Sequence, residues 1–133
     1  MVSDELMHEN PISKEIVDAA FIIHSKLGPG LLESVYEVIL AYELKKRGLR
    51  VDRQLPIPIV WDDIRFEEGY RYDLLVNDKV LVEVKSIEMV VPIHKKQVLT
   101  YLRLMDKRLG LLINFNEEVI RTGISRIVNG LEE

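Results

Sequence analysis

The chain has 133 residues, 47% apolar and 30% charged, which is the balance of a globular chain with a single core and too short for two ordinary domains. Zero cysteine excludes a disulfide framework, a thiolate zinc site, an iron–sulfur cluster and a cysteine nucleophile; it is compatible with a reducing compartment, so a cytoplasmic location is expected. A net charge of −4 argues against wholesale coating of nucleic acid but leaves room for a local basic groove beside acidic ligands. No run of about 18 apolar residues is present to span a bilayer, and Met1-Val2-Ser3-Asp4-Glu5 is acidic where a signal peptide is basic.

Ser13 is a candidate N-cap for a first helix, because Ile16, Ala19, Ala20, Ile23 and Leu27 recur at helical spacing behind it. Gly28-Pro29-Gly30 stops that helix. A second runs from about Leu32 to Arg47, with Gly48 placed to end it. The period then changes to two: Leu55, Ile57, Ile59 and Trp61 alternate with Pro56, Pro58 and Val60, and the prolines confine this strand to an edge. After a turn at Asp62-Asp63, strands are expected over 66–76 and 80–84. Pro92 opens a helix through Met105, a buried strand follows over 109–115, and 119–128 is a last strand. The order is α-α-β-β-β-α-β-β in one domain over 1–133, with loose ends at about 1–10 and 130–133.

Register at the 66–76 and 80–84 pair decides what the two strands can do, since a one-residue slip exchanges their faces. A two-residue loop mixes polar and apolar side chains on both faces. A three-residue loop, Asn77-Asp78-Lys79, separates them: Tyr72, Leu74, Val76, Val80, Val82 and Val84 on one face, and Arg71, Asp73, Leu75, Leu81, Glu83 and Lys85 on the other. The three-residue loop is the expected one. It sets Asp73 across from Glu83, about 5 Å apart at Cβ, with Lys85 one step along. Two carboxylates so close repel, and a hard divalent cation between them relieves the repulsion. Lys85 then stands where an ammonium can hold a water or balance transition-state charge. A solvated strand face with a cross-strand Glu–Lys pair accounts for the same three residues.

Asp73 followed by Glu83-Val84-Lys85 in a hairpin resembles the PD-(D/E)xK nuclease superfamily, with Tyr72 where the name expects proline. Gln97-Val98-Leu99-Thr100-Tyr101 resembles the QxxxY motif of its RecB-type branch, and Gly30-Leu31-Leu32-Glu33-Ser34-Val35-Tyr36 is similar to the signature of the GxxExxY protein family, assigned to the same superfamily. The resemblance reaches from about Ile12 to Asn129. It implies an α/β, restriction-endonuclease-like core with a mixed four- to five-stranded sheet flanked by helices. It further implies Asp73 and Glu83 as metal-binding carboxylates for Mg²⁺ or Mn²⁺ with the Val84 carbonyl, Lys85 as the catalytic lysine, Gln97 and Tyr101 in the active site, and Glu33 as a helical carboxylate near the metal.

Read without the family, His94, Gln97 and Tyr101 share one face of their helix, able to contact phosphate, a water or a base; an amphipathic border with a half-buried tyrosine and a capping histidine competes. Glu33 in a first turn is favoured by the helix dipole alone, and Tyr36 is equally a core residue with a satisfied hydroxyl. Glu37, one turn on, ranks behind Glu33. Arg71, His94, Lys95, Lys96 and Tyr36 are candidate nucleic-acid contacts, and Lys45, Lys46, Arg47, Arg50 and Arg53 form a further basic cluster that helix-end complementarity also explains. The function expected is metal-dependent phosphodiester hydrolysis on nucleic acid, DNA before RNA; a catalytically silent nuclease-fold module binding nucleic acid or protein is the alternative. A homodimer paired through the strand near 55–61 or 119–128 would enlarge a small binding surface.

Overall fold

In the computed structural model, which describes residues 8–132, helix α1 spans Glu9–Leu27. His8, not Ser13, is its N-cap: the His8 ring accepts from the Asn10 N–H, and Ser13 is buried inside the helix. Pro11 sits in the first turn, where a proline removes an N–H that has no intrahelical partner anyway. Of the loose start expected at about 1–10, Glu9 and Asn10 are helical, and residues 1–7 lie outside the described residues. Near the other end, Leu131 packs against the core.

Gly28, at φ +70°, ends α1, and Tyr36 fixes the elbow to the next helix. Its hydroxyl donates to the Gly28 carbonyl at 2.6 Å and accepts from the Leu31 N–H at 3.2 Å, while its ring stacks on Phe115 at 4.5 Å. Helix α2 (Glu33–Lys46) closes as expected, with Gly48 at φ +86°. The Gly48 and Leu49 N–H groups donate to the Lys45 and Leu44 carbonyls, the paired bonds of a Schellman ending.

Seven strands follow: β1 (Val51–Arg53), β2 (Ile59–Trp61), β3 (Ile64–Phe66), β4 (Leu74–Val76), β5 (Val80–Lys85), β6 (Leu109–Asn114) and β7 (Ile124–Val128), with α3 (Pro92–Met105) between β5 and β6. Five form one mixed sheet in the order β1-β4-β5-β6-β7, in which only β5 and β6 run parallel. Helices α1 and α2 cover one face and α3 the other, each over its own apolar cluster. This is the α/β layering expected.

The finer order departs from expectation where proline and glycine interrupt the ladder. Of the strand expected near 55–61, only Ile59–Trp61 forms, as β2, because Pro56 and Pro58 cannot donate ladder hydrogen bonds; β1 is a separate strand before them. The strand expected over 66–76 divides into β3 and β4 around Gly69, at φ +111°. Strands β2 and β3 pair only with each other, as a hairpin off the main sheet turning at Asp62-Asp63. The last expected strand begins with a 3₁₀ turn at Ile120–Gly123, where a Cβ on Gly123 would come within 2.4 Å of the Asn114 carbonyl oxygen.

The register at β4–β5 is the three-residue one, Val76 opposite Val80 and Leu74 opposite Val82. Asn77 and Asp78 take the left-handed conformation that these residue types tolerate, at φ +50° and +58°. Leu74, Val76, Val80, Val82 and Val84 face α1 and α2, and Leu75 and Leu81 face α3. Tyr72 corrects the expected face pattern: it joins the α3-side cluster, because the ladder begins only at Leu74 and the Tyr72 N–H bonds to the Leu55 carbonyl instead.

Candidate active site

The alternation that buries Val82 and Val84 beneath α1 and α2 turns Glu83 toward α3, at the end of β5 where Asp73 enters β4. The two acidic residues are interlocked. The Asp73 N–H donates to Glu83 Oε1 at 3.1 Å, and the Val84 N–H donates to Asp73 Oδ2 at 2.8 Å. Glu83 is only 8% exposed. Burial first, then the charge of Asp73, pushes the Glu83 carboxyl well above its ordinary range, while Lys85 pulls the other way. Asp73 is pushed up as well, chiefly by burial and then by Glu37, against the stabilising Val84 N–H.

Lys85 is half-buried at the end of β5. What anchors the chain beyond it is Asn114, fully buried at the matching end of β6. Its side-chain oxygen accepts from the Ile87 N–H at 3.1 Å and its amide donates to the Ile87 carbonyl at 3.0 Å, extending the ladder by a side chain. The Ser86 hydroxyl donates to the Leu31 carbonyl at 2.6 Å, tying the site to the helical elbow.

Across the site, Tyr101 of α3 packs with Leu81 and Leu112, and Leu112 is the β6 partner of Glu83. Gln97 Nε2 donates to the Tyr101 hydroxyl at 2.8 Å. Burial, then Glu83 and Tyr70, push the Tyr101 hydroxyl up to about 12, so it keeps its proton. Helix α2 supplies Glu37, buried, which Arg53 grips through both Nε (3.2 Å) and Nη2 (2.9 Å). Gln54 Nε2 then bridges Glu37 Oε1 at 2.7 Å to Asp73 Oδ1 at 3.2 Å.

A family model of the PD-(D/E)XK nuclease superfamily matches residues 10–127. The chain belongs to that superfamily. No curated protein and no solved structure gives a significant match.

Within this PD-(D/E)XK domain, the structure brings together Asp73, Glu83, Val84, Lys85, Gln97 and Tyr101. Glu33 is exposed at the start of α2 and bonds to none of them; the helical carboxylate beside Asp73 is Glu37, one turn later on the same helix. Tyr36 is a correction: wholly buried with its hydroxyl engaged twice, it has no surface to offer nucleic acid. His94 caps α3, its Nδ1 accepting from the Val91 N–H at 3.0 Å. Arg71 is exposed and donates to the Gln54 carbonyl at 2.8 Å, steadying the bridge to Asp73. Lys95 and Lys96 are exposed on α3. Of the other basic cluster, Lys46, Arg47, Arg50 and Arg53 are paired with Glu43, Glu15, Asp52 and Glu37.

Nucleases of this superfamily generally use divalent metals such as Mg²⁺. The donor chemistry here fits one. A buried and a half-buried carboxylate that resist joint ionisation are relieved by a hard cation, and Mg²⁺ commonly binds through one or two carboxylates with water completing its shell. Among the described residues no group of three histidine or acidic side chains is arranged to hold a metal ion; Glu37, beside Asp73, is engaged by Arg53 and Gln54.

Proposed function

We propose that this domain hydrolyses phosphodiester bonds in nucleic acid at the Asp73–Glu83–Lys85 site, DNA before RNA, in the manner of the RecB-type and GxxExxY proteins that its motifs resemble. The observation that carries the reading is the interlocked pair of carboxylates, Glu83 buried and Asp73 half-buried, at the ends of the central strands β4 and β5 of a PD-(D/E)XK domain with Lys85 alongside. A folding unit has no use for such a pair, because each carboxylate raises the cost of ionising the other.

Asp73, Glu83 and the Val84 carbonyl would hold Mg²⁺ or Mn²⁺, which when bound neutralises the pair, polarises the phosphate and acidifies a water. Lys85 orients the attacking water and balances the charge that grows on the phosphate oxygens. The water oxygen forms a bond to phosphorus as the bond to the 3′ oxygen breaks; that oxygen leaves as a hydroxyl with a proton, and the product carries a 5′ phosphate. Tyr101 accepts from Gln97 and so directs its own retained proton outward, toward a phosphate oxygen. Lys95, Lys96 and Arg71 supply cations for the flanking phosphates. A homodimer paired along the outer edge of β7 would extend that surface.

The test is a panel of labelled single- and double-stranded DNA and RNA with Mg²⁺ or Mn²⁺, comparing the parent with Lys85→Ala purified in parallel. Divalent-dependent cleavage, reduced by about 10² to 10³ in the variant, supports the enzyme and names its substrate. Divalent-independent binding without cleavage, unaltered by Asp73→Ala, would instead favour a silent binding module.

A further inference from the structure

Beside the carboxylate pair lies a groove of about 340 Å³ between the β2–β3 hairpin and α3. Its walls are mostly apolar: Ile59 from the hairpin, Tyr70 from the segment leading to β4, and Ile93, Gln97, Tyr101 and Leu104 along one stripe of α3. These α3 positions recur at helical spacing, while Val98 and Leu102 of the adjacent stripe are buried on the sheet. The apolar surface of α3 therefore continues past its buried face, with Tyr101 at the border.

Three observations indicate what the groove holds. First, Tyr70 and Tyr101 meet at 5.9 Å between ring centroids, tilted by 53°, and Tyr70 remains 49% exposed, so one ring is braced and the other presents a free face. Second, Tyr101 belongs both to the groove and to the cluster around Leu112, the strand partner of Glu83, so the groove runs into the catalytic site. Third, Lys96 is a cation on the groove wall, and among the described residues no acidic side chain lines it. Gln97 gives one amide N–H to Tyr101 and has a carbonyl oxygen and a second N–H for an edge-on partner. The register of the hairpin puts Trp61, Ile64 and Phe66 on the same face as Ile59, so the apolar surface continues outward from the groove to a tryptophan 72% exposed.

We propose that this groove receives an unpaired nucleobase, stacked on Tyr70 and read at its edge by Gln97, from a single-stranded nucleic acid whose backbone passes Lys96 to reach the carboxylate pair. The inference rests on the nuclease reading and narrows it to single strands or to duplexes with a base displaced. A paired base keeps both faces and its edge inside the duplex and cannot enter. Stacking and edge contacts are made to the base and not to the sugar, so DNA and RNA strands both fit. Trp61 offers a second stacking platform for the neighbouring base.

Trp61 is the sole tryptophan, and its emission reports the test directly. Binding is measured on a Glu83→Gln background without divalent cations, which prevents cleavage and removes one repelling carboxylate. Ligands are a short DNA oligonucleotide, its RNA counterpart, a DNA oligomer abasic throughout, and a blunt duplex. The expected result is quenching of Trp61 by both single strands, at least about tenfold tighter than by the abasic strand or the duplex. Tyr70→Ala weakens single-strand binding about tenfold and leaves abasic binding unchanged, and Tyr70→Trp restores single-strand binding in an anisotropy titration. Equal binding of abasic and normal strands, an unaffected Tyr70→Ala, or no binding at all would overturn the proposal. So would a dimer in light scattering that Ile64→Glu dissolves and oligonucleotide does not displace, since the apolar face would then belong to a second copy. Cleavage by the parent chain is scored separately, so the nuclease reading stands or falls on its own measurement.

Discussion

At Glu83 two requirements collide: the fold wants a neutral group under α3 and the proposed chemistry wants a charged one. Its carboxyl is pushed from an ordinary 4.5 up to about 8, burial being the largest cause. A folded-state value above the unfolded one means that the folded state binds the proton more tightly, so ionisation destabilises the fold progressively as pH rises from about 4.5 to about 8. Glu83→Gln removes that penalty and keeps the acceptor for the Asp73 N–H. Without divalent cations, the melting temperature of Glu83→Gln relative to the parent should rise from pH 5 to pH 9, and saturating Mg²⁺ or Mn²⁺ should shrink the gap by stabilising only the parent. A gap independent of pH would show that Glu83 is not the strained group. Asp73, Glu83 and Lys85 were legible in the sequence because one register choice separates polar from apolar faces. Glu37 was not: on α2 it shares a stripe with Glu33, and only the placement of Arg53 and Gln54, which no periodicity announces, singles it out. Asn114 interrupts the apolar run over 109–115, and an amide inside such a run is the signal that could have found it; the structure shows it fully buried.

At the level of elements, α3 positions Gln97 and Tyr101 by lying directly on β6. A Cβ added at Gly110 would come within 2.6 Å of Val98 Cγ1 and 3.4 Å of Leu102 Cδ1. Valine in a helix has essentially one rotamer, so the helix rather than the side chain must move. Gly110→Ala should therefore cost about 1 to 3 kcal/mol in urea unfolding, whereas an alanine that packed without cost would mean that α3 is not seated so closely. The helices were readable from spacing and from their glycine and proline boundaries, α2 to its terminal glycine, whereas the start of α1 at His8 was not. Strands were readable as apolar runs but not as lengths, because Pro56, Pro58 and Gly69 act on backbone hydrogen bonding while the alternation of side chains continues past them.

Over the whole molecule, stability is unevenly distributed. Strands β5 and β6 are central, covered on both faces, and almost wholly buried, whereas the β2–β3 hairpin bonds only to itself and exposes Val60, Trp61 and Ile64. Hydrogen exchange should show amides of 81–84 and 110–113 exchanging only on global unfolding, and those of 59–66 exchanging orders of magnitude faster. Uniform protection across both would mean that the hairpin is docked on something. No described helix is long and apolar enough to cross a membrane. The layering was legible because it follows from which faces are apolar. The departure of the hairpin from the sheet was not, since pairing partners for an edge strand are chosen by tertiary geometry that alternation does not encode. Near the centre of the sheet, the carboxylate pair at the ends of β4 and β5 carries the proposed phosphodiester hydrolysis. Its most direct test is the divalent-dependent cleavage rate of Glu83→Gln against the parent on a single-stranded oligonucleotide. A loss of about 10² or more in a variant at least as stable as the parent is the predicted result, and cleavage at the parental rate would contradict it.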